Sequence, residues 1–89
     1  GTTQTQAGGL ALIGEVNEVS TVANVNDTVV LPAAAAGIKV VIINNGANTL
    51  RIYPASGDDL GQGADTFTSL AAGSNITFVA YDATNWEII

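Results

Sequence analysis

The sequence predicts an all-β fold: a compact antiparallel β-sandwich or barrel-like module with a flexible N-terminal arm. Three observations lead there. Apolar, β-branched runs are short and are punctuated throughout by Gly, Asn, Asp and Pro, a rhythm of strands and turns rather than of helices. The stretch from Val40 to Asp58 sets two such runs around Asn44-Asn45-Gly46-Ala47-Asn48. Asn and Gly accept positive φ cheaply, so this stretch reads as a tight reversal between two antiparallel strands. Finally, 47% of the 89 residues are hydrophobic and only 11% are charged. That is apolar for a lone domain of this length, and part of the surface is expected to face another subunit.

Taken in order, residues 1–9 are small and polar, with Gly1, Thr2, Thr3, Gln4, Thr5 and Gln6 and no apolar anchor. They are expected to form a mobile arm, leaving residues 10–89 as a single β domain. Residues 10–14 begin the ordered part. Strand-like content follows at 21–25 and 28–31, divided by the turn-prone Asn26-Asp27, and Pro32 ends the second run because it cannot donate to a ladder. Four alanines at 33–36 suggest a helix, but they make only about one turn, and isolated helices shorter than roughly 12 residues are marginal. Between Pro32 and Gly37 they read as a turn.

Residues 38–44 and 49–54 form the expected hairpin, and 57–65 a polar, Gly-rich loop. Phe67 alternates with Thr66 and Thr68 in a short strand over 66–70. A turn at 71–73, a strand at 74–81, a reversal at 82–85 and a last strand at 86–89 complete the domain. The halves echo each other: Gly37 to Asn48 and Gly73 to Asn85 enclose similar strand-turn elements, the pattern a duplicated unit leaves.

Charge removes several function classes. Eight acidic residues against Lys39 and Arg51 give a net charge of −6. Phosphate backbones need clustered Lys and Arg, so nucleic acid is not an expected partner; basic attraction to anionic membranes fails for the same reason. No apolar run approaches the roughly 18–20 residues that cross a bilayer, and no signal-peptide pattern is visible. Cys, His and Met are absent, so disulfides, thiolate chemistry and a His base are not available.

The remaining chemical groups read better as structure. Lys39 has no associated Ser motif and reads as a solvated strand lysine. Asp58 and Asp59 are adjacent and would point to opposite sides of an extended chain, which does not suit paired acid-base work. With Asp65 they could offer carboxylates to calcium in a bendable loop. That loop matches neither the EF-hand spacing nor the Gly-Gly-x-Gly-x-Asp repeat, and turn formation is the favoured reading. Gly61-Gln62-Gly63 precedes no helix pattern and is not a phosphate loop. Tyr53, Tyr81 and Trp86 could stack on sugars, but a small β domain needs most of its aromatics in the core or at a subunit contact.

Two strings carry a resemblance. Residues 41–58, with Asn-Asn-Gly-Ala-Asn and Tyr53-Pro54-Ala55-Ser56-Gly57-Asp58, together with residues 70–86, closing on Asp82-Ala83-Thr84-Asn85-Trp86, resemble a small β module of tailed-bacteriophage virion structural proteins. Such modules occur in head fibres, capsid decoration proteins and tail-associated fibres. The likeness spans about residues 28–89. It implies an architectural, non-enzymatic role on the particle exterior, with no cofactor, in a homo-oligomer that is most often a trimer. On this reading Ile43, Ile52, Tyr53, Phe78, Tyr81 and Trp86 serve the core or the subunit interface. Gly1, Thr2, Thr3, Gln4, Thr5 and Gln6 would order against a capsid or other virion protein. The competing reading is a tail-fibre or adhesin module that holds host glycans with Tyr53, Tyr81, Trp86 and the 58–65 loop.

Overall fold

Buried and more exposed positions alternate along residues 39–44 and 50–53, and the connections decide which sheet each strand enters. The computed structural model of the chain describes residues 9–11 and 15–89. These hold eight strands and no helix: β1 (Leu10–Ala11), β2 (Val16–Val19), β3 (Asp27–Val30), β4 (Lys39–Asn44), β5 (Leu50–Tyr53), β6 (Thr68–Leu70), β7 (Asn75–Ala80) and β8 (Trp86–Ile88). The first sheet has the order β1-β3-β5-β6 and the second β2-β4-β7-β8. Val29, Leu50, Ile52 and Leu70 from the first and Val40, Ile42, Phe78 and Trp86 from the second belong to one buried cluster. The fold is all-β and sandwich-like.

Up to β5, every connection crosses from one sheet to the other. Two crossings return the chain to its starting sheet in its original direction. The pairs β1–β3, β2–β4 and β3–β5 are therefore parallel, with Leu10 beside Val29, Val16 beside Val41 and Asp27 beside Leu50. A parallel pair needs a crossover, and here a strand of the opposite sheet supplies it. After β5 the chain folds back, and β5–β6, β4–β7 and β7–β8 are antiparallel. The sheets are thus mixed, with three parallel pairs beside three antiparallel ones, where antiparallel pairing was expected.

The same topology corrects the expected hairpin. β4 and β5 lie in different sheets, so Asn44-Asn45-Gly46-Ala47-Asn48 arches across the core instead of joining paired neighbours. Either geometry buries alternate residues, and sequence alternation alone does not separate them. The reversal at 82–85 does make a hairpin, with Ala80 opposite Trp86. The echoing halves therefore have different topologies.

Asn44 explains how the arch is held. It is fully buried; its Nδ2 donates to Asn48 O and Leu70 O, each at 3.0 Å, while its Oδ1 accepts from Gly46 N–H at 3.0 Å. Asn48 Nδ2 donates to Val22 O at 2.8 Å. These amides tie the β4–β5 arch to the neighbouring β2–β3 connection and to the end of β6. Residues 21–25, expected as a strand, belong to the first of those connections. Val22 is buried there, and Asn26 adopts φ 69° as the chain enters β3. β2 was not expected, because Asn17 and Glu18 interrupt its apolar content. The alanines at 33–36 form the anticipated non-helical connection, where Ile38 N–H donates to Ala35 O and Gly37 has φ 91°.

Candidate functional site

The loop from Pro54 to Phe67 carries the carboxylates considered for calcium, and each closes a different part of the backbone. Asp58 is buried and accepts from Ala34 N–H at 2.8 Å. Asp59 Oδ1 accepts from Gly61 N–H at 2.6 Å and Gly63 N–H at 3.2 Å. Asp65 Oδ1 accepts from Gly57 N–H at 2.7 Å. The Asp59 backbone also grips the β7–β8 turn: its N–H donates to Thr84 O, and its carbonyl accepts from Trp86 N–H, both at 2.8 Å. Among the described residues, no group of three or more acidic side chains is arranged to hold a metal ion.

Asp82 has a related role. Its carboxylate accepts from Asn85 Nδ2 at 2.9 Å and from the backbone N–H groups of Thr84 and Asn85 at 2.8 and 2.7 Å. The Asn85 side-chain amide, followed by the Thr84 N–H, holds its pKa below the ordinary carboxylate value. Bonds to the ionised form lower a carboxyl pKa in this way.

The aromatics separate by position. Trp86 is 2% exposed and Phe78 and Ile52 are fully buried, so these three are core. The Trp86 indole N–H meets no acceptor among the described residues. Tyr53 is half-buried on the outer face of the first sheet, its ring 5.5 Å from Phe67 and tilted by 59°. The Arg51 guanidinium lies 3.9 Å from the Phe67 centroid, a cation–π contact that sequence reasoning missed. The strict alternation of β5 could have pointed to it, since Arg51 and Tyr53 must share a face. Tyr81 stands 60% exposed at the end of β7. Gly1, Thr2, Thr3, Gln4, Thr5 and Gln6 lie outside the described residues.

Strand register defines an apolar row on the outer face of the second sheet. Three rows cross that face. One holds Lys39, Val79 and Glu87. The middle row holds Val16, Val41 and Thr77, and is extended by Ile89, whose N–H donates to Thr77 O at 3.0 Å. The third holds Glu18, Ile43 and Asn75. The middle row is therefore β-branched at all four positions, with Val16 63% and Ile89 70% exposed at its two ends. Ile43 and Val79 widen the apolar centre, while Lys39, Glu87, Glu18 and Asn75 are exposed at its rim. An apolar centre with a polar rim is the anatomy of a protein interface. Val16 was missed because β2 was missed.

The fold and its surfaces describe a small, two-sheet β module whose distinguishing features lie on open sheet faces. Comparison with family models, with curated proteins and with solved structures finds no match for this chain.

Proposed function

We propose that this chain is a non-enzymatic structural module that self-associates and attaches to a larger assembly. The observation that carries the reading is the outer face of the second sheet, β-branched across all four strands and rimmed by charge. Burial of apolar surface contributes about 25 cal/mol per Å2, so covering such a face stabilises a domain of this size substantially. The resemblance of residues 41–58 and 70–86 to tailed-phage virion modules supplies the finer reading: a trimeric capsid decoration or head-fibre protein on the particle exterior. In that role residues 1–9 grip the neighbouring virion protein. The mass of the full chain by native mass spectrometry tests self-association. A trimer is expected, and a monomer at hundreds of micromolar would overturn the reading.

The adhesin alternative draws on Tyr81, which is exposed, and on Tyr53 beside Phe67 and Arg51. It no longer draws on Trp86. Acrylamide is expected to quench the folded chain's tryptophan emission only weakly, since the ring is 2% exposed. A saturable change in Tyr emission on adding host-surface glycans would favour the adhesin; no change would favour the structural role.

A further inference from the structure

We propose that Asn45 is a site of spontaneous deamidation that the folded β4–β5 arch holds shut, and that the reaction, once it occurs, loosens β2 from its sheet. This site is independent of self-association and of any partner.

Asn45-Gly46 is the single Asn–Gly step in the chain. Deamidation begins when the backbone nitrogen of the following residue attacks the Asn Cγ. The N–Cγ bond forms and the Cγ–Nδ2 bond breaks; the backbone proton passes to solvent base, and Nδ2 leaves as ammonia. Water then opens the cyclic imide at either carbonyl, giving aspartate or isoaspartate. One water is consumed for each ammonia released. Glycine in the second position puts no Cβ beside the attacking nitrogen and lets the backbone adopt the geometry of the ring. Asn45 is exposed, so water and base reach it.

In the folded arch both reacting groups are engaged. The Gly46 N–H donates to Asn44 Oδ1 at 3.0 Å. Asn44 is itself fully buried and fixed by its Nδ2 bonds to Asn48 O and Leu70 O. Asn45 Nδ2 donates to Glu18 Oε2 at 2.7 Å, and the Asn45 backbone N–H to Val19 O at 2.9 Å. Gly46 is packed against Val22, whose N and Cγ2 lie 2.6 Å from where a Cβ would stand. Attack on Cγ therefore needs the arch to open, and its rate follows the population of that open state.

The product cannot restore the contacts it replaces. The Asn45 amide donates to Glu18, whereas an ionised carboxylate at position 45 only accepts. It would set a second negative charge against Glu18, and like charges in contact repel. Isoaspartate also lengthens the backbone by one atom where Val22 leaves no space. β2 is an edge strand paired with β4 alone, so no strand on its other side holds it once the Glu18 and Val19 contacts to Asn45 are lost.

The test incubates the full chain at mildly alkaline pH, in buffer and in unfolding urea, and follows every Asn by peptide mapping with mass spectrometry. Asn45 is expected to convert fastest of all in urea and more than about tenfold more slowly in buffer. Asn44→Ala frees the Gly46 N–H and is expected to raise the rate in buffer while leaving the rate in urea unchanged. Val29→Ala, a core truncation in the first sheet, controls for general loss of stability, and circular dichroism confirms folding. Should Asn44→Ala fail to fold, Glu18→Ala at its exposed position frees the Asn45 amide instead and is expected to give a smaller acceleration. Equal rates in buffer and urea, or no conversion in urea, would overturn the gated site. So would an arch variant that reacts no faster than Val29→Ala at the same measured stability. For the product, Asn45→Asp is expected to speed amide hydrogen exchange over residues 16–19 while residues 50–53 stay protected. Unchanged exchange over 16–19 would overturn the loosening of β2.

Discussion

Asn44 shows how much one side chain can organise in this fold. It sits with no exposure and satisfies two carbonyls and one amide from separate parts of the chain. Asn44→Ala would leave those three backbone groups short of partners at a buried site. An unsatisfied buried group costs about 1–3 kcal/mol; because the neighbours can relax together, the whole loss is expected at about 2–4 kcal/mol. It would be read from the urea midpoint at constant m. An unchanged midpoint would mean that the Asn44 bonds are replaceable by water. Gly46 makes a second, steric prediction. A Cβ there would come within 2.6 Å of Val22 N and 2.8 Å of Val22 Cβ. Backbone cannot swing aside as a flexible side chain can, so Gly46→Ala is expected to cost about 1–3 kcal/mol. Gly73 has open space around its Cβ position but φ 80°, so its Ala variant should cost only the roughly 1 kcal/mol of left-handed strain. Equal losses at Gly46 and Gly73 would refute the close approach of the two arches.

At the scale of elements, the sequence was informative about strands and turns and silent about the sheet each strand enters. Ile42 and Ile52 point inward here, as they would in a hairpin, because period-2 alternation is the same in a hairpin and an arch. What separates the two is the rotation of the chain through Asn44 to Asn48, set by tertiary bonds to Leu70 and Val22 that no local pattern records. β2 escaped notice for a related reason: a strand lying along a sheet edge needs little apolar content. Of the candidate site, the burial of Phe78 and Trp86 could be read from apolar patterning, whereas the row through Val16 and Ile89 depends on registers between strands distant in sequence. The β7–β8 turn was legible, since Asp82-Ala83-Thr84-Asn85 is turn chemistry, and it carries a pH prediction. Folding lowers the Asp82 pKa below its ordinary 3.8. Its stabilising contribution is therefore complete above that ordinary value and is lost as pH falls through the lower folded value. The amide resonances of Thr84 and Asn85 should titrate with a midpoint below 3.8 and lose that transition in Asp82→Asn. A midpoint at or above 3.8 would remove the carboxylate from its capping role.

The whole molecule is small, and its thermodynamics should reveal whether it stands alone. A monomer unfolds at a temperature independent of its concentration, whereas an assembly that forms only from folded chains is favoured by mass action. For a trimer that dissociates as it unfolds, a hundredfold rise in concentration adds about 2 kcal/mol per chain to the stability of the folded side. In a domain of 60–100 residues each kcal/mol moves Tm by about 4–8 °C, so the expected rise is roughly 8–15 °C. Val16→Asp should abolish most of that dependence while leaving a cooperative transition, because Val16 is 63% exposed and outside the core cluster. The core residues would then be sufficient to fold the chain, and the outer face of the second sheet would add stability only through its neighbours. A Tm that stays constant across the hundredfold range would instead mean that the two sheets supply all the stability the chain has. The apolar middle row would then be covered by something other than copies of itself.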